Sequence, residues 1–408
     1  MAQADMQKTG SRATDACHEP RDSFSLAIGG PLFDIWRRAK LSGEALELLR
    51  RRIVATIAVA WLPLLILSLL EGTAWSANVA PTFLGDVETQ VRLLIAIPVL
   101  LAADAWLHQR VPGLVQLFVV RDLVPAEALP QFRAAIESAV RLRNSKVAEL
   151  LLVSIVYGIG VAFLWRTRVA LDVSSWYGVP IAGRLDPSLA GWWMGCVSLP
   201  IFQFLVLRWY FRLFVWARFL WQVSRIKLRI VPTHPDASGG LGFLTGIGRA
   251  FGPVLFAQGT VMAGMIANRI FYTGAELMSF KVEVAGSALL LAAVVLAPLL
   301  VFTPQLASAR RAGQRDYGSL AQRYMSEFDR KWVRGAAAPD EPLVGSADVQ
   351  SLADMGGGYE LVRNMQLTPI SYRAALKIAL IPVLPCAPLL LTTFSPEQLL
   401  ERVLTAIF

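Results

Sequence analysis

The chain has 408 residues, 55% hydrophobic and only 17% charged, with a mean hydropathy of +0.50, where a soluble domain carries about 25% charge. That composition excludes an ordinary water-soluble domain and points to lipid. The net charge of +9 would suit nucleic acid, but the basic residues gather in connections between apolar runs, the pattern of membrane insertion, and no nucleic-acid partner is expected.

Residues 1–30 are polar and read as a disordered tail. Residues 31–38 mix Trp36 with Arg37 and Arg38, a combination suited to a membrane interface. Ser42 is placed to cap a short helix over 43–52. No apolar stretch of signal-peptide type precedes residue 53, so the first span would act as the uncleaved insertion signal.

Seven apolar segments, at 53–70, 91–107, 147–165, 191–207, 251–272, 284–302 and 374–393, approach the roughly 20 residues a helix needs to cross a core of about 30 Å. Of the 39 lysines and arginines, 30 fall in 1–52, 108–146, 208–250 and 303–372, and five in the alternate segments 71–90, 166–190, 270–282 and 394–408. This bias predicts an all-α polytopic protein of the cytoplasmic (inner) membrane, with about seven transmembrane helices, N-terminus in and C-terminus out.

The organisation that follows is a tail (1–30), a transmembrane domain (31–302) with cytoplasmic loops 108–146 and 208–250, a cytoplasmic helical region (303–372), and a last segment (373–408). In that segment Pro382, Pro385 and Pro388 each remove a helical hydrogen bond. It either crosses as a seventh span or turns back as a re-entrant hairpin, and ends in an amphipathic tail. Extramembrane helices are expected over 126–143, where Phe132, Ile136 and Val140 make one stripe, over 306–334 continuing the sixth span, over 346–355 up to Gly356, Gly357 and Gly358, and over 359–365.

The most unusual local sequence is 231–244. Pro232 and Pro235 bracket Thr233 and His234 and predict an extended piece. Gly239, Gly240 and Gly242 permit positive φ and close backbone approach, and Asp236 and Ser238 can close turns onto the following amides. The loop would either present His234, Asp236 and the glycine amides to an ion or anionic group, or simply turn the chain from the fourth span into the fifth. One His and one Asp are too few for a metal site. The cysteines, Cys17, Cys196 and Cys386, match no metal spacing, and no catalytic constellation or cofactor motif occurs. A membrane enzyme using His234 and Asp236 therefore ranks last.

A ladder of cations, Arg208, Arg212, Arg218, Arg225, Lys227 and Arg229, follows the fourth span. Arg218, Arg225 and Arg229 share a helical face and are expected to meet anionic lipid head groups. The alternative is a cationic vestibule that attracts anions. Ionisable groups inside spans are expensive. Asp104 and Glu149 are expected to form salt bridges with Arg208 or Arg212, or to coordinate a proton or an ion. Gln203, Gln258 and Asn268 add polar atoms at depth, and Gly252, Gly259, Ala263 and Ala267 form a small-residue seam for close helix packing.

Asp104, Glu149, Arg208, Arg212, Gln258 and Asn268 are thus candidate pathway residues of a homo-oligomeric channel or transporter whose cytoplasmic mouth is the basic loop. The alternative, from another class, is a membrane-anchored sensor or scaffold that binds a partner through the helices at 306–365. The phrases His234-Pro-Asp-x-x-Gly-Gly-Leu-Gly-Phe243 and Ser346-Ala-Asp-Val-Gln-Ser-Leu-Ala-Asp-Met355, followed by Tyr359-Glu-Leu-Val-Arg-Asn-Met365, resemble a family of uncharacterised bacterial inner-membrane proteins. The resemblance implies membrane location and assigns no functional residue.

Overall fold

Inside a bilayer every backbone N–H and C=O must be bonded within the chain, so apolar runs of this length fold as helices. The computed structural model describes residues 49–75, 79–158, 175–181, 184–335, 337–338, 341–343 and 346–392. The expected tail 1–30, the interfacial stretch 31–38, most of the helix at 43–52, the end of the third span and the tail beyond 392 lie outside them. In chain order the helices are α1 (Leu49–Leu70), α2 (Val87–Val120), α3 (Leu129–Arg143), α4 (Lys146–Ile155), α5 (Leu189–Val223), α6 (Gly246–Ala250), α7 (Gly252–Thr273), α8 (Leu277–Val333), α9 (Ala347–Arg363) and α10 (Tyr372–Thr392). Six of them, α1, α2, α5, α7, α8 and α10, are long and apolar enough to cross a membrane. The protein is an all-helical, multi-pass membrane protein. Helix α4 opens the expected third span, which continues outside the described residues. A small antiparallel hairpin, β1 (Gly178–Ile181) and β2 (Arg184–Pro187), precedes α5, with Gly178 opposite Pro187.

At the basic end of the bundle the extramembrane pieces share the core of the spans. Phe118 of α2 packs against Phe132 of α3, Phe243 and Phe302 of α8, at centroid distances of 5.7, 5.2 and 6.3 Å. Phe132 is buried and Ile136 and Val140 pack beside it, as the stripe in 126–143 predicts. Helix α8 runs for 57 residues, about 85 Å at 1.5 Å per residue, so it extends far beyond the bilayer.

Helix α9 folds back on that extension. Lys331 Nζ donates to Asp348 Oδ2 (2.7 Å) and Glu341 Oε1 (2.6 Å), Trp332 Nε1 donates to Asp348 Oδ2 (3.0 Å), and the Tyr324 hydroxyl donates to the Asp348 carbonyl (2.8 Å). Gly356, Gly357 and Gly358 do not stop a helix here. They lie inside α9, which runs unbroken to Arg363. Each glycine costs about 1 kcal/mol against alanine, and the anchoring of both ends of α9 on α8 outweighs that cost: Asp348 as above, and Val362 beside Gly313.

Helix α10 resolves its prolines in an unexpected way. After Leu380 it continues as a 3-10 helix, Ile381–Thr392. With three residues per turn, Pro382, Pro385 and Pro388 stack along one face instead of breaking the rod. At about 2.0 Å per residue the tighter helix also covers more of the bilayer than an α-helix of the same length.

Packing of α10 on α7 uses the glycine seam. A Cβ on Gly259 would stand 2.0 Å from the Pro382 carbonyl oxygen, and one on Gly264 would stand 2.9 Å from Glu88 Cα of α2. Both neighbours are backbone and cannot rotate aside. Gly259→Ala is therefore expected to destabilise the protein by the roughly 1–3 kcal/mol typical of overpacking, read as a lower melting temperature in detergent. Gly286→Ala, which meets nothing within 4 Å, serves as the neutral control. Equal melting of the two variants would refute the close contact of α7 and α10.

Candidate functional site

Asp104 sits on the inner face of α2, four residues beyond Leu100, and is 6% exposed. Three arginines from two other helices converge on it. Arg212 of α5 donates to Oδ1, Arg52 of α1 donates to Oδ2 at 3.2 Å, and Arg208 of α5 stands 4.0 Å from Oδ2. Arg208 and Arg212 are one helical turn apart, so a single face of α5 delivers both. These arginines are only 3–6% exposed.

The surrounding side chains fix their directions. The Arg212 guanidinium lies 4.4 Å from the Trp209 ring centre, and the Trp209 indole N–H donates to the Leu100 carbonyl at 3.1 Å. Ser198 Oγ donates to the Ala60 carbonyl at 2.6 Å and holds α5 against α1. Two more ionic groups act on the cluster: Glu149 of α4 acts electrostatically on Arg208, and Arg143 lies at the end of α3. Burial, and then repulsion from Arg212, lower the Arg143 pKa to about 10.

The ladder therefore does not serve lipid head groups. Its inner rungs, Arg208 and Arg212, are buried with Arg52 on Asp104, because a carboxylate in a span draws the nearest guanidinium forks inward. The face expected to meet head groups lies at the surface, and two of its three arginines take partners within the protein. Arg229 pairs with Asp122 and Arg225 lies 5.1 Å from the Trp221 ring centre, and both are exposed, as is Arg218.

The remaining candidates go elsewhere. Gln258 donates to the Tyr210 hydroxyl at 2.5 Å, between α7 and α5. Asn268 donates to Asp86 Oδ1 at 2.7 Å, near the opposite end of the bundle. Asp86 is 5% exposed and caps α2. It also accepts from the Thr89 amide (3.1 Å), the Thr89 hydroxyl (2.7 Å) and Trp176 Nε1 (2.9 Å). Sequence reasoning missed Asp86 and Arg52. Asp86-x-x-Thr89 has the spacing of a helix cap, and Arg52 merged into a run of three arginines at the edge of a span.

The loop 231–244 is organised around Asp236, whose carboxylate accepts the backbone N–H groups of Ser238 (2.8 Å), Gly240 (3.1 Å) and Gly242 (2.9 Å). Thr233 and His234 are not extended. His234 N–H closes a turn onto the Val231 carbonyl at 3.1 Å, and Ala237 N–H closes the next onto His234 at 3.0 Å. Each proline sits at the second place of its turn, where its fixed φ is favourable. His234 Nδ1 accepts the Asp236 N–H at 3.2 Å and stands 2.9 Å from Asp236 Oδ1. Gly239 and Gly240 have φ of +61° and +95°. A Cβ on Gly239 would stand 2.2 Å from Ile230 Cγ2.

The loop and the residues leading into it join the ends of α2 and α9. Arg229 N–H donates to Leu123 just past α2, Arg121 donates to the Gly240 carbonyl, and Gln366 N–H, just past α9, donates to Ala237. No group of three or more His, Cys, Asp or Glu suited to a metal occurs among the described residues. Comparison of the chain with protein-family models, characterised proteins and solved structures returns no match, so the site rests on its own geometry.

Two predictions follow from this geometry. Asp104→Asn leaves buried guanidinium charges without their shared carboxylate, and is expected to lower unfolding stability in detergent by about 3–5 kcal/mol. Arg208→Gln, which removes the most distant partner, costs less. An Asp104→Asn protein as stable as the parent would remove the cluster as a structural centre. In the loop, burial raises the Asp236 pKa but the three amide donors and His234 outweigh it and hold the group below its ordinary value. A carboxyl lowered on folding stabilises above its unfolded pKa and loses that contribution as pH falls through its folded pKa. Amide protection at residues 238, 240 and 242 should thus hold from neutral pH down to about pH 4 and then decline. In Asp236→Asn it should be weak at every pH, and undiminished protection in that variant would disprove the role of the carboxylate.

Proposed function

We propose that this protein is an anion transport protein of the bacterial inner membrane, with its basic end in the cytoplasm and its substrate's charge held at the Arg52–Asp104–Arg208–Arg212 cluster. One observation carries the proposal, the burial of three arginines on one carboxylate. Arg52, Arg208 and Arg212 are 4%, 6% and 3% exposed and converge on Asp104 from two helices. Guanidinium forks bond carboxylates and similar anions in charge-assisted pairs, and the attraction is strong at low dielectric. Arginine-lined constrictions select anions on this principle.

In this scheme Asp104 is an internal counter-anion. Between turnovers it holds the guanidinium forks in register, and an incoming anion competes with it for the same donors. The competing groups belong to α1, α2 and α5, so the exchange favours one arrangement of these helices over another. Differential affinity of that kind is what a ligand needs to shift a conformational equilibrium. The alternating bias of lysine and arginine supports the orientation.

Purified protein in liposomes on a solid-supported membrane tests the proposal. Jumps between sodium chloride, nitrate, acetate and decanoate, and between sodium and potassium at fixed anion, should give charge movement that follows the anion. Arg212→Gln should reduce it by about tenfold or more, the equivalent of 1.4 kcal/mol of lost interaction. Arg212→Lys, which keeps the charge but loses the fork, should fall between. Signals that follow the cation, or full activity in Arg212→Gln, would sink the proposal.

A further inference from the structure

Arg52 faces two ways. Its guanidinium bonds Asp104, and its side chain also forms the floor of a cavity of about 500 Å³ bounded by α1, α2, α4 and α5. The walls are apolar: Ala55 and Val59 of α1, Leu101 of α2, Val153 beside Tyr157 at the end of α4, and Phe204 of α5. The lining positions of α1 run from Arg52 to Val59 at helical spacing, so the cavity rises about 10 Å from the charged level into the span. Its hydroxyl groups are already engaged: Thr56 Oγ1 donates to the Arg52 carbonyl at 2.8 Å, and the Tyr157 hydroxyl donates to the Cys196 carbonyl at 3.3 Å. Val59 and Tyr157 are about half exposed, at 49% and 51%, which places the mouth between α1 and α4 on the flank of the bundle.

A cavity of this build discriminates by chemistry at both ends. A small, strongly hydrated anion gains nothing from the apolar walls and must shed its water to reach Arg52. A plain hydrocarbon gains from the walls but offers no charge to the Arg52 guanidinium. An amphiphilic anion satisfies both, burying its aliphatic body while its head makes charge-assisted hydrogen bonds. The volume falls within the roughly 300–1,000 Å³ of ligand sites. We propose that this cavity binds an aliphatic carboxylate, head group on Arg52 and chain along α1 and α5 toward Val59. The proposal rests on the anion-transport reading and narrows it to a substrate class.

Binding to the purified, full-length protein in lipid nanodiscs tests it, measured calorimetrically with decanoate, decanol and acetate. Decanoate should bind saturably, and decanol and acetate each at least about tenfold more weakly, 1.4 kcal/mol in free energy. Ala55→Trp, which fills the cavity and leaves the ionic groups in place, should abolish decanoate binding. Arg52→Gln should make decanoate no better than decanol. Equal binding of decanol would mean a slot for hydrocarbon chains only, and undiminished binding in Ala55→Trp would place the site elsewhere; either result overturns the inference. If decanoate fails to bind while chloride, nitrate or acetate still drives charge movement that depends on Arg212, the substrate class is wrong and the transport proposal stands. If no anion drives such movement, both fall.

Discussion

One carboxylate holding three buried arginines is the constraint on which this bundle turns. Asp104 has two oxygens and about four lone-pair sites, enough for guanidinium groups arriving from α1 and from two successive turns of α5. Hydrophobic packing alone would not fix how these helices sit along one another. Lipid is as apolar as the side chains facing it, so burying leucine between spans yields little net gain. Directional ionic bonds at low dielectric do set that register. Displacing α1 by one turn would carry Arg52 about 5.4 Å from its partner, leaving both charges in a medium that tolerates neither.

The same economy recurs at two other levels of the molecule. Asp86, near the opposite end, joins α2 to the hairpin segment through Trp176 and to α7 through Asn268. Asp236, beyond the basic end, gathers three amides of its own loop, and that loop ties α2 to the end of α9. The three carboxylates differ in the partners they take. Asp86 accepts only from neutral donors, Asp236 mainly from backbone amides with a histidine beside it, and Asp104 is bonded by arginines. Of these three, Asp104 alone is bonded by guanidinium groups among the described residues, and the proposed anion site is placed there.

Much of this was legible in the sequence, and the failures share a cause. Helical spans follow from run length and hydropathy because the bilayer imposes them locally, residue by residue. Asp104, Arg208 and Arg212 were identifiable because an ionisable group in a span needs a partner, and the expected salt bridge is present. Arg52 was hidden since a run of arginines before a span has a sufficient explanation in insertion, and only the fold shows which of Arg50, Arg51 and Arg52 turns inward. Gly356, Gly357 and Gly358 misled for a related reason. Their local preference for ending a helix is real but small, and contacts that α9 makes with α8, distant in sequence, override it. The proline triplet of α10 carried the right information in its spacing of three, which marks a 3-10 helix as clearly as it marks a broken α-helix.

A purely structural role for the cluster would not require its composition. A single Arg–Asp pair locks two helices, and each further buried guanidinium adds a desolvation cost of several kcal/mol. Well-packed apolar residues in place of such charges are often neutral or stabilising. Arg52, Arg208 and Arg212 around one carboxylate, with a cavity bordered by Arg52, are what the anion-binding proposal accounts for. Arg52, rather than an arginine nearer the aqueous edge, is the turned-in member of its run: from that position its side chain both borders the apolar space and reaches Asp104. The residue that closes the ionic network is also the one a ligand in the cavity would meet, and occupancy of one is thereby coupled to the geometry of the other.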